Sequence, residues 1–449
     1  MNSRKIALEI LLEIEKNAYS NIILNKYLPR IKKQEDKALI TEIVYGVLRY
    51  RNRLDYIIKK YSKIPLEKMD KEVLLALRLA IYQIEFLEKI PARAAVNETV
   101  NASKAFSNKG AVGFVNGLLR NFLRNRDKLS YPDSMKNSKD YMINYLSHPE
   151  WLVDYWLQEY KEEKLIELLK NNNKAAELHI RVNTIKYSVD ELRSVFKRNN
   201  LILEETIVAD NFIVKNHRGV KSLPLYEEGG FIVQGTAASL SSHILNPRPG
   251  MKVLDMTAAP GGKTTHLAAL MQNKGELRAF DIYPHKIQLI EDNCHRLGVE
   301  IVKTSLIDAR NYQSSEEYDM ILLDAPCTGL GLIQQKPEIR WNKSKKDIEN
   351  LARLQLELLH NAIKLLKKEG ILLYSTCTLS REENRENIYK IVNESKADIE
   401  IYDIYDDLKR LKIDDKLSLT KDGFLELFPP ETGTEGFFMA KLKKIRKDF

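Results

Sequence analysis

Cysteine is scarce in this chain: Cys294, Cys327 and Cys377 are the three in 449 residues. Scattered singly, they offer no disulfide framework and no CxxC metal pair, so no metal is expected. A reducing, cytoplasmic compartment follows from that usage. Long apolar runs are absent too, and none approaches the roughly 18–20 residues of a membrane span. The opening MNSRKIALEILLEIEKNAYS mixes acids and bases at helical spacing, unlike the uninterrupted apolar stretch of a signal peptide. There is no low-complexity tract, and 44% hydrophobic with 30% charged residues is the composition of a globular protein.

Positive charge is in excess, and it is unevenly placed. Residues 1–150 hold 27 Lys+Arg against 17 Asp+Glu, while the whole chain carries +9, so the remainder is close to neutral. A solvated helical surface would account for this; so would a module that meets phosphate backbones. Residues 1–130 read as helix throughout. KEVLLALRLAIYQIEFLEKI has apolar residues at three- and four-residue spacing and is expected to stop at Pro91, followed by helices in ARAAVNETVNASKAF and VGFVNGLLRNFLRNR. The polar stretch around DKLSYPDSMKNSKD makes 131–145 a linker. Residues 146–235 mix short helices with the strands LHIRVNTIK, FIVKN and GGFIVQG, a small α+β unit.

From 236 to 449 strands and helices alternate. MKVLDM, GELRAFDI, VEIVKTS, YDMILLD and GILLYSTC are short β-rich runs, and stretches such as TTHLAALMQ and LARLQLELLHNAIKLLKK lie between them. This pattern predicts a doubly wound parallel sheet covered on both faces, with ligands at the carboxyl ends of the strands. The tail FLELFPPETGTEGFFMAKLKK predicts a closing antiparallel hairpin.

After the first of these strands comes Asp255-Met256-Thr257-Ala258-Ala259-Pro260-Gly261-Gly262-Lys263-Thr264-Thr265. Small residues and paired glycines let a ligand approach the backbone and the start of the next helix. A Walker loop needs glycine where Thr257 stands, and G-x-G-x-x-G is absent. S-adenosylmethionine, which carries no phosphate, is the third candidate. Asp281, 19 residues past Gly262, is positioned to take both ribose hydroxyls of an adenosine, and Asp308 follows the next strand where it could meet the adenine. Either acid alone would be read as a solvated loop residue or helix cap.

Two thiols sit in turns past buried strands, in LLDAPCTGLG and STCTLSREENREN. With DMTAAPGGKTTH, FDIYPHK, DAR and KPEIRW, these motifs resemble, in order, those of the Nol/Nop/Sun family of RNA 5-methylcytosine methyltransferases. Residues 1–130 are similar to the NusB-like RNA-binding domain joined to the bacterial members that act on small-subunit (16S) ribosomal RNA. The resemblance implies an all-α NusB-like domain, a small α+β domain and a Rossmann-like class I S-adenosylmethionine-dependent methyltransferase domain. It implies S-adenosyl-L-methionine as cofactor, held by Thr257, Ala258, Ala259, Pro260, Gly261, Gly262, Lys263, Asp281, Asp308 and Asp324. Cys377 would be the nucleophile, Asp324 the contact to ring N3, Cys327 the residue that assists release, and Lys263 a further polarising group. The family usually has cysteine at Thr257, which leaves the cofactor's affinity open.

The chemistry accounts for the pattern. Carbon 5 of cytosine becomes nucleophilic once a thiolate adds to carbon 6, a carboxyl group at N3 absorbs developing charge, and a base then removes the carbon 5 proton. The helix expected in REENREN would lend its dipole to Cys377. In the family's KPEIRW segment Arg340 would meet a phosphate, while Trp341 either stacks on a base or packs in the core. Cys294, in a helical stretch, is read as structural. An unpaired or flipped-out cytosine is required, because a duplex hides carbons 5 and 6. No membrane partner is expected, and the chain is expected to be a monomer. Two other classes compete: an adenine amino-group methyltransferase, expected to show an Asp/Asn-Pro-Pro-aromatic turn where this chain has DAPC, and a non-catalytic ribosome-assembly factor, against which the intact Asp324, Cys327 and Cys377 speak.

Overall fold

A computed structural model describes residues 2–16, 18–217, 219–395 and 398–445. Contacts divide the chain into two compact units. One comprises Met1–Ala175 with Ile333–Ser344, the other Ala176–Leu332 with Lys345–Phe449.

The first unit is helical. Its central helix, Lys71–Phe86, is buried along most of its surface and is packed by helices Ser3–Ile14, Gln34–Arg49, Arg51–Tyr61, Ala92–Ser103 and Lys109–Asn125. A helix apolar on nearly every side belongs in the middle of a bundle. Its one buried arginine, Arg78, is matched by Asp55 at 2.7 Å. This helix ends at Phe86, short of the expected stop; Leu87 to Ile90 form a turn, and Pro91 instead caps the next helix. Residues 131–145 contain the π-helical turn Tyr141–Tyr145, packed on helix Arg51–Tyr61. Helices Glu150–Trp156 and Glu162–Asn172 complete the unit together with residues 333–344.

In that returning segment Glu338 is buried and accepts from the backbone and hydroxyl of Ser20, both at 2.9 Å. Arg340 is fully buried and donates to Ser147 O at 3.0 Å, Asn173 Oδ1 at 2.9 Å and Asn172 O at 3.1 Å. Burial pushes its guanidinium down to about 9. The expectation that Arg340 meets a phosphate is corrected: its guanidinium is fully buried, and both terminal nitrogens donate inside the protein. Trp341 is half-buried, donates Nε1–H to Leu48 O at 2.6 Å and has one ring face under Arg51.

The second unit carries two sheets. The smaller is antiparallel, ordered β2-β3-β1-β4, from β1 (Leu178–Val182), β2 (Ile202–Glu205), β3 (Asn211–Lys215) and β4 (Phe231–Val233). Helix Val189–Arg198, opened by a Ser188/Glu191 capping box, is associated with it. β2 was not foreseen; it is an edge strand with mostly exposed side chains, and so lacks apolar alternation.

The larger sheet is ordered β10-β12-β9-β8-β5-β6-β7. Its strands are β5 (Lys252–Asp255), β6 (Glu276–Asp281), β7 (Val302–Leu306), β8 (Tyr318–Asp324), β9 (Leu366–Thr376), β10 (Ile399–Tyr402), β11 (Leu425–Leu427), which pairs β12, and β12 (Phe437–Lys444). Strands β5 to β9 are mutually parallel, as the alternation predicted, and β12 runs antiparallel to β9 and to both β10 and β11. The closing hairpin of the tail is therefore β11–β12. Apolar residues of β5, β8 and β9 feed cores on both faces.

Candidate active site

Strand order decides which loops meet. β5, β8 and β9 are neighbours, so their carboxyl ends open side by side. β8 and β9 are parallel with Asp324 opposite Ser375, and Cys327 and Cys377 follow three and two residues later. Their sulfurs stand 3.3 Å apart, and both are free thiols. Cys377's carbonyl accepts from Gly331 N at 3.0 Å, which fastens one thiol loop to the other. Gly331 also lies against Gly436 at the start of β12. A Cβ on Gly331 would stand 2.0 Å from the Gly436 carbonyl oxygen, so the position tolerates no side chain.

Asp324 is held from two sides. Lys263 Nζ reaches Oδ2 at 2.7 Å, and Ser375 Oγ donates to Oδ1 at 2.8 Å. Burial works against the Lys263 ammonium, but the charge of Asp324, its hydrogen bond and the nearby Cys377 sulfur outweigh it and raise the lysine above its usual range. Lys263 is therefore a charged donor to Asp324. The Cys327 thiol is pushed well up, first by its contact with the Cys377 sulfur, then by burial and by Cys377, Glu383 and Asp324 as negative neighbours.

The loop Thr257–Lys263 lies between β5 and helix Gly262–Leu270. Gly261 has φ +95, a conformation in which glycine is at home, and its missing Cβ would come within 3.2 Å of Ile290 Cα. Thr257 donates to the Asp324 carbonyl at 2.8 Å, tying this loop to the end of β8. A hydroxyl makes this bond better than a thiol, which is a physical role for the departure from the family's cysteine. Beneath the loop, Asp255 is fully buried and accepts from Thr264 Oγ1 at 2.7 Å; burial pushes it up to about 7. Asp281 ends β6, accepts from Tyr283 N at 3.1 Å and lies 3.7 Å from Lys286. Asp308, past β7, is partly exposed and paired to Arg310 at 2.6 Å. That pairing holds its carboxyl below the ordinary range. The structure thus brings Lys263, Asp324, Cys327 and Cys377 together and places Asp281 and Asp308 at the two successive strand ends beside them.

One residue escaped the sequence reading. Glu383 is buried and accepts from Thr328 N at 2.8 Å, Thr328 Oγ1 at 2.5 Å, Ser380 Oγ at 2.5 Å and Gln355 Nε2 at 3.0 Å. Thr328 follows Cys327, and its hydroxyl also meets that of Thr378, which follows Cys377, at 2.7 Å. Glu383 thus holds the residues next to both thiols. Burial raises its pKa, against the pull of those donors. The Ser380-x-x-Glu383 spacing resembles a capping box and was the available signal. The helix in question begins later, at Arg385, so the acids 382–383 precede it rather than forming its first turn. Cys294 is buried and pushed up to about 12 by burial, an inert thiol.

A doubly wound sheet closed by an antiparallel β12, with a glycine-turn loop after β5, is the Rossmann-like fold of methyltransferases. The family described as 16S rRNA methyltransferase RsmB/F matches residues 242–443, the NusB family 1–124, and the ferredoxin-like domain of RsmF/B-like methyltransferases 148–219. The Bacillus subtilis protein named Probable ribosomal RNA small subunit methyltransferase B is 35% identical over 448 residues, 98% of each chain. Ribosomal RNA small subunit methyltransferase B of Vibrio vulnificus is 34% identical over 86% of this chain and 90% of its own. Among solved structures, PH0851 superposes with TM-score 0.83 at 28% identity over 99% of both chains. NSun6 from Pyrococcus horikoshii with SFG matches 67% of this chain and 99% of its own, with TM-score 0.59 and 25% identity. The chain belongs to the RsmB/F methyltransferase family, and it is a methyltransferase enzyme. Its cofactor is of the S-adenosylmethionine kind.

Proposed function

We propose that this enzyme transfers a methyl group from S-adenosylmethionine to carbon 5 of an unpaired or flipped-out cytosine in small-subunit 16S ribosomal RNA, through a covalent bond between Cys377 and carbon 6. The observation that carries this reading is the 3.3 Å approach of two free thiols beside the Lys263–Asp324 pair. An amino-group methyltransferase has no use for such a pair. Relatives that cover nearly the whole chain are named for small-subunit ribosomal RNA, which supports the substrate.

In this reading Thr257 to Lys263 cradle the cofactor, Asp281 takes the ribose hydroxyls and Asp308 lies by the adenine. The fit is chemical: a glycine turn that admits a close backbone approach, and a carboxylate at the next strand end. The cofactor supplies an electrophilic methyl on sulfonium. The Cys377 sulfur adds to carbon 6, and the Asp324–Lys263 pair supplies hydrogen-bonding and charge at N3 as electrons move into the ring. Carbon 5 would take the methyl as the sulfur–methyl bond breaks, the sulfonium leaving as a neutral thioether. Loss of the carbon 5 proton, assisted by Cys327, then restores the ring and frees Cys377. Residues 1–130 and the excess positive charge of that region would carry phosphate contacts. The reaction is expected in the cytoplasm, on a single copy of the chain.

The test is transfer of labelled methyl from S-adenosylmethionine to 16S ribosomal RNA by the native chain and by Cys377→Ala. Activity at the native level in Cys377→Ala would rule out the covalent route, while label appearing on adenine would redirect the chemistry.

A further inference from the structure

Behind the cofactor loop, away from the thiols in sequence and in chemistry, three side chains from three elements converge. Asp210 lies just before β3, His243 in the last turn of helix Thr236–Leu245, and His266 on helix Gly262–Leu270. His243 Nε2 stands 3.0 Å from Asp210 Oδ1, and His266 Nε2 stands 3.2 Å from Asp210 Oδ2. The two rings meet edge to face at 4.6 Å, and one donor atom from each of the three residues lies within 4.8 Å of the others.

A hydrogen-bonded cluster explains only half of this. His243 has a hydrogen bond to Asp210, but neither ring nitrogen of His266 has a hydrogen-bond partner, although the residue is 1% exposed. The 3.2 Å approach of its Nε2 lacks hydrogen-bond alignment, so the nitrogen does not aim along the line to the oxygen. Atoms bound about 2.0–2.1 Å from a tetrahedral ion stand about 3.3 Å from one another and point at a common centre rather than at each other. Here the 3.0 and 3.2 Å approaches are to different oxygens of Asp210, and one ligand atom from each residue lies within 4.8 Å of the others, so a single ion would draw the three slightly inward.

We propose that Asp210, His243 and His266 bind one divalent transition-metal ion, with zinc as the best match, in a structural site that joins the small sheet to the cofactor helix. Two imidazoles and a carboxylate suit zinc and not calcium or magnesium, which take oxygen ligands. A fourth position would be filled by water on the side of His243, the most open of the three at 17% side-chain exposure. Arg181 donates to Gln234 Oε1 at 2.7 Å and to Thr265 Oγ1 at 3.1 Å. Its charge opposes a second cation, which disfavours weakly held ions and leaves the strong imidazole binders. The sequence could not announce the site, because its ligands are far apart and follow no metal spacing.

The experiment uses the untagged full chain, stripped with chelator and titrated with zinc against a chromogenic competitor. One ion per chain is expected, with the melting temperature raised by about 5 °C under saturating zinc. A Cys327→Ser/Cys377→Ser double variant is expected to bind equally well, and cobalt to give visible bands without sulfur-to-metal charge transfer. Asp210→Asn and His243→Gln, chosen because neither lies as deep as His266, are each expected to weaken binding about hundredfold. No uptake by the native chain, loss of uptake in the cysteine variant, or undiminished uptake in both ligand variants would each overturn the proposal.

Discussion

Replacing Glu383 by glutamine asks whether the two thiol loops are held as one object. Glutamine has the shape of glutamate but only one oxygen. That oxygen can keep Thr328 N and Gln355, at 2.8 and 3.0 Å in the native protein, while an NH2 group must face the hydroxyls of Thr328 and Ser380 that now donate at 2.5 Å. Each hydrogen bond to a charged acceptor is worth about 1.5–3 kcal/mol, so about 3–6 kcal/mol of local interaction is disturbed. Removing a buried charge returns part of this, because burial is the leading influence on Glu383 and disfavours its ionised form. The net loss of stability is expected near 2 kcal/mol, and the protein stays folded. The kinetic effect is larger. Thr328 and Thr378 adjoin the thiols, and a displacement of about 1 Å in reacting groups costs about a hundredfold in rate. Methyl transfer by Glu383→Gln is therefore expected to fall about a hundredfold in kcat. Cofactor affinity should stay within about twofold, because Glu383 has no bond to the loop 257–263, and alkylation of Cys377 by iodoacetamide should change with kcat. Native kcat together with a native alkylation rate would refute the reasoning.

Cys327→Ala is expected to accumulate a protein–RNA adduct that survives denaturing gels, because addition by Cys377 proceeds while release stalls; absence of adduct under turnover conditions would remove Cys327 from that role. Asp255 has its folded pKa raised from 3.8 to about 7, so the folded state binds the proton more tightly and stability declines as pH rises from about 4 through 7. Asp255→Asn, which keeps an acceptor for Thr264, is expected to flatten that decline by up to about 4 kcal/mol in urea unfolding measured across this range; an unchanged profile would show that Asp255 does not cause it. Arg340→Met leaves the acceptors at Ser147, Asn172 and Asn173 buried without their donor and is expected to cost about 3 kcal/mol in the unfolding of the helical unit. Selective loss of RNA affinity with unchanged stability would instead restore Arg340 as a phosphate contact.

Much of this protein is written in local pattern. Alternating apolar strands and amphipathic helices after residue 236 specify a doubly wound sheet, since each strand buried on both faces must be a short apolar run and each crossover must be long enough for a helix. The positions of Cys327 and Cys377 just past two such strands are equally legible, because a turn follows wherever an apolar run ends. What the sequence alone could not decide is contact between segments far apart along it. The 3.3 Å approach of the thiols depends on β8 and β9 being neighbours in register, and that follows from the order of strands in the folded sheet. Glu383 reads as one more exposed acid until the chain folds it back under both loops. Arg340 reads as a phosphate contact until the stretch 333–344 packs with the helical unit and its guanidinium is buried among carbonyls. Periodicity reports which face of an element is dry. Only the tertiary structure reports what lies against that face, because burial energy is indifferent to the partner and the partner is chosen by packing and hydrogen-bond geometry.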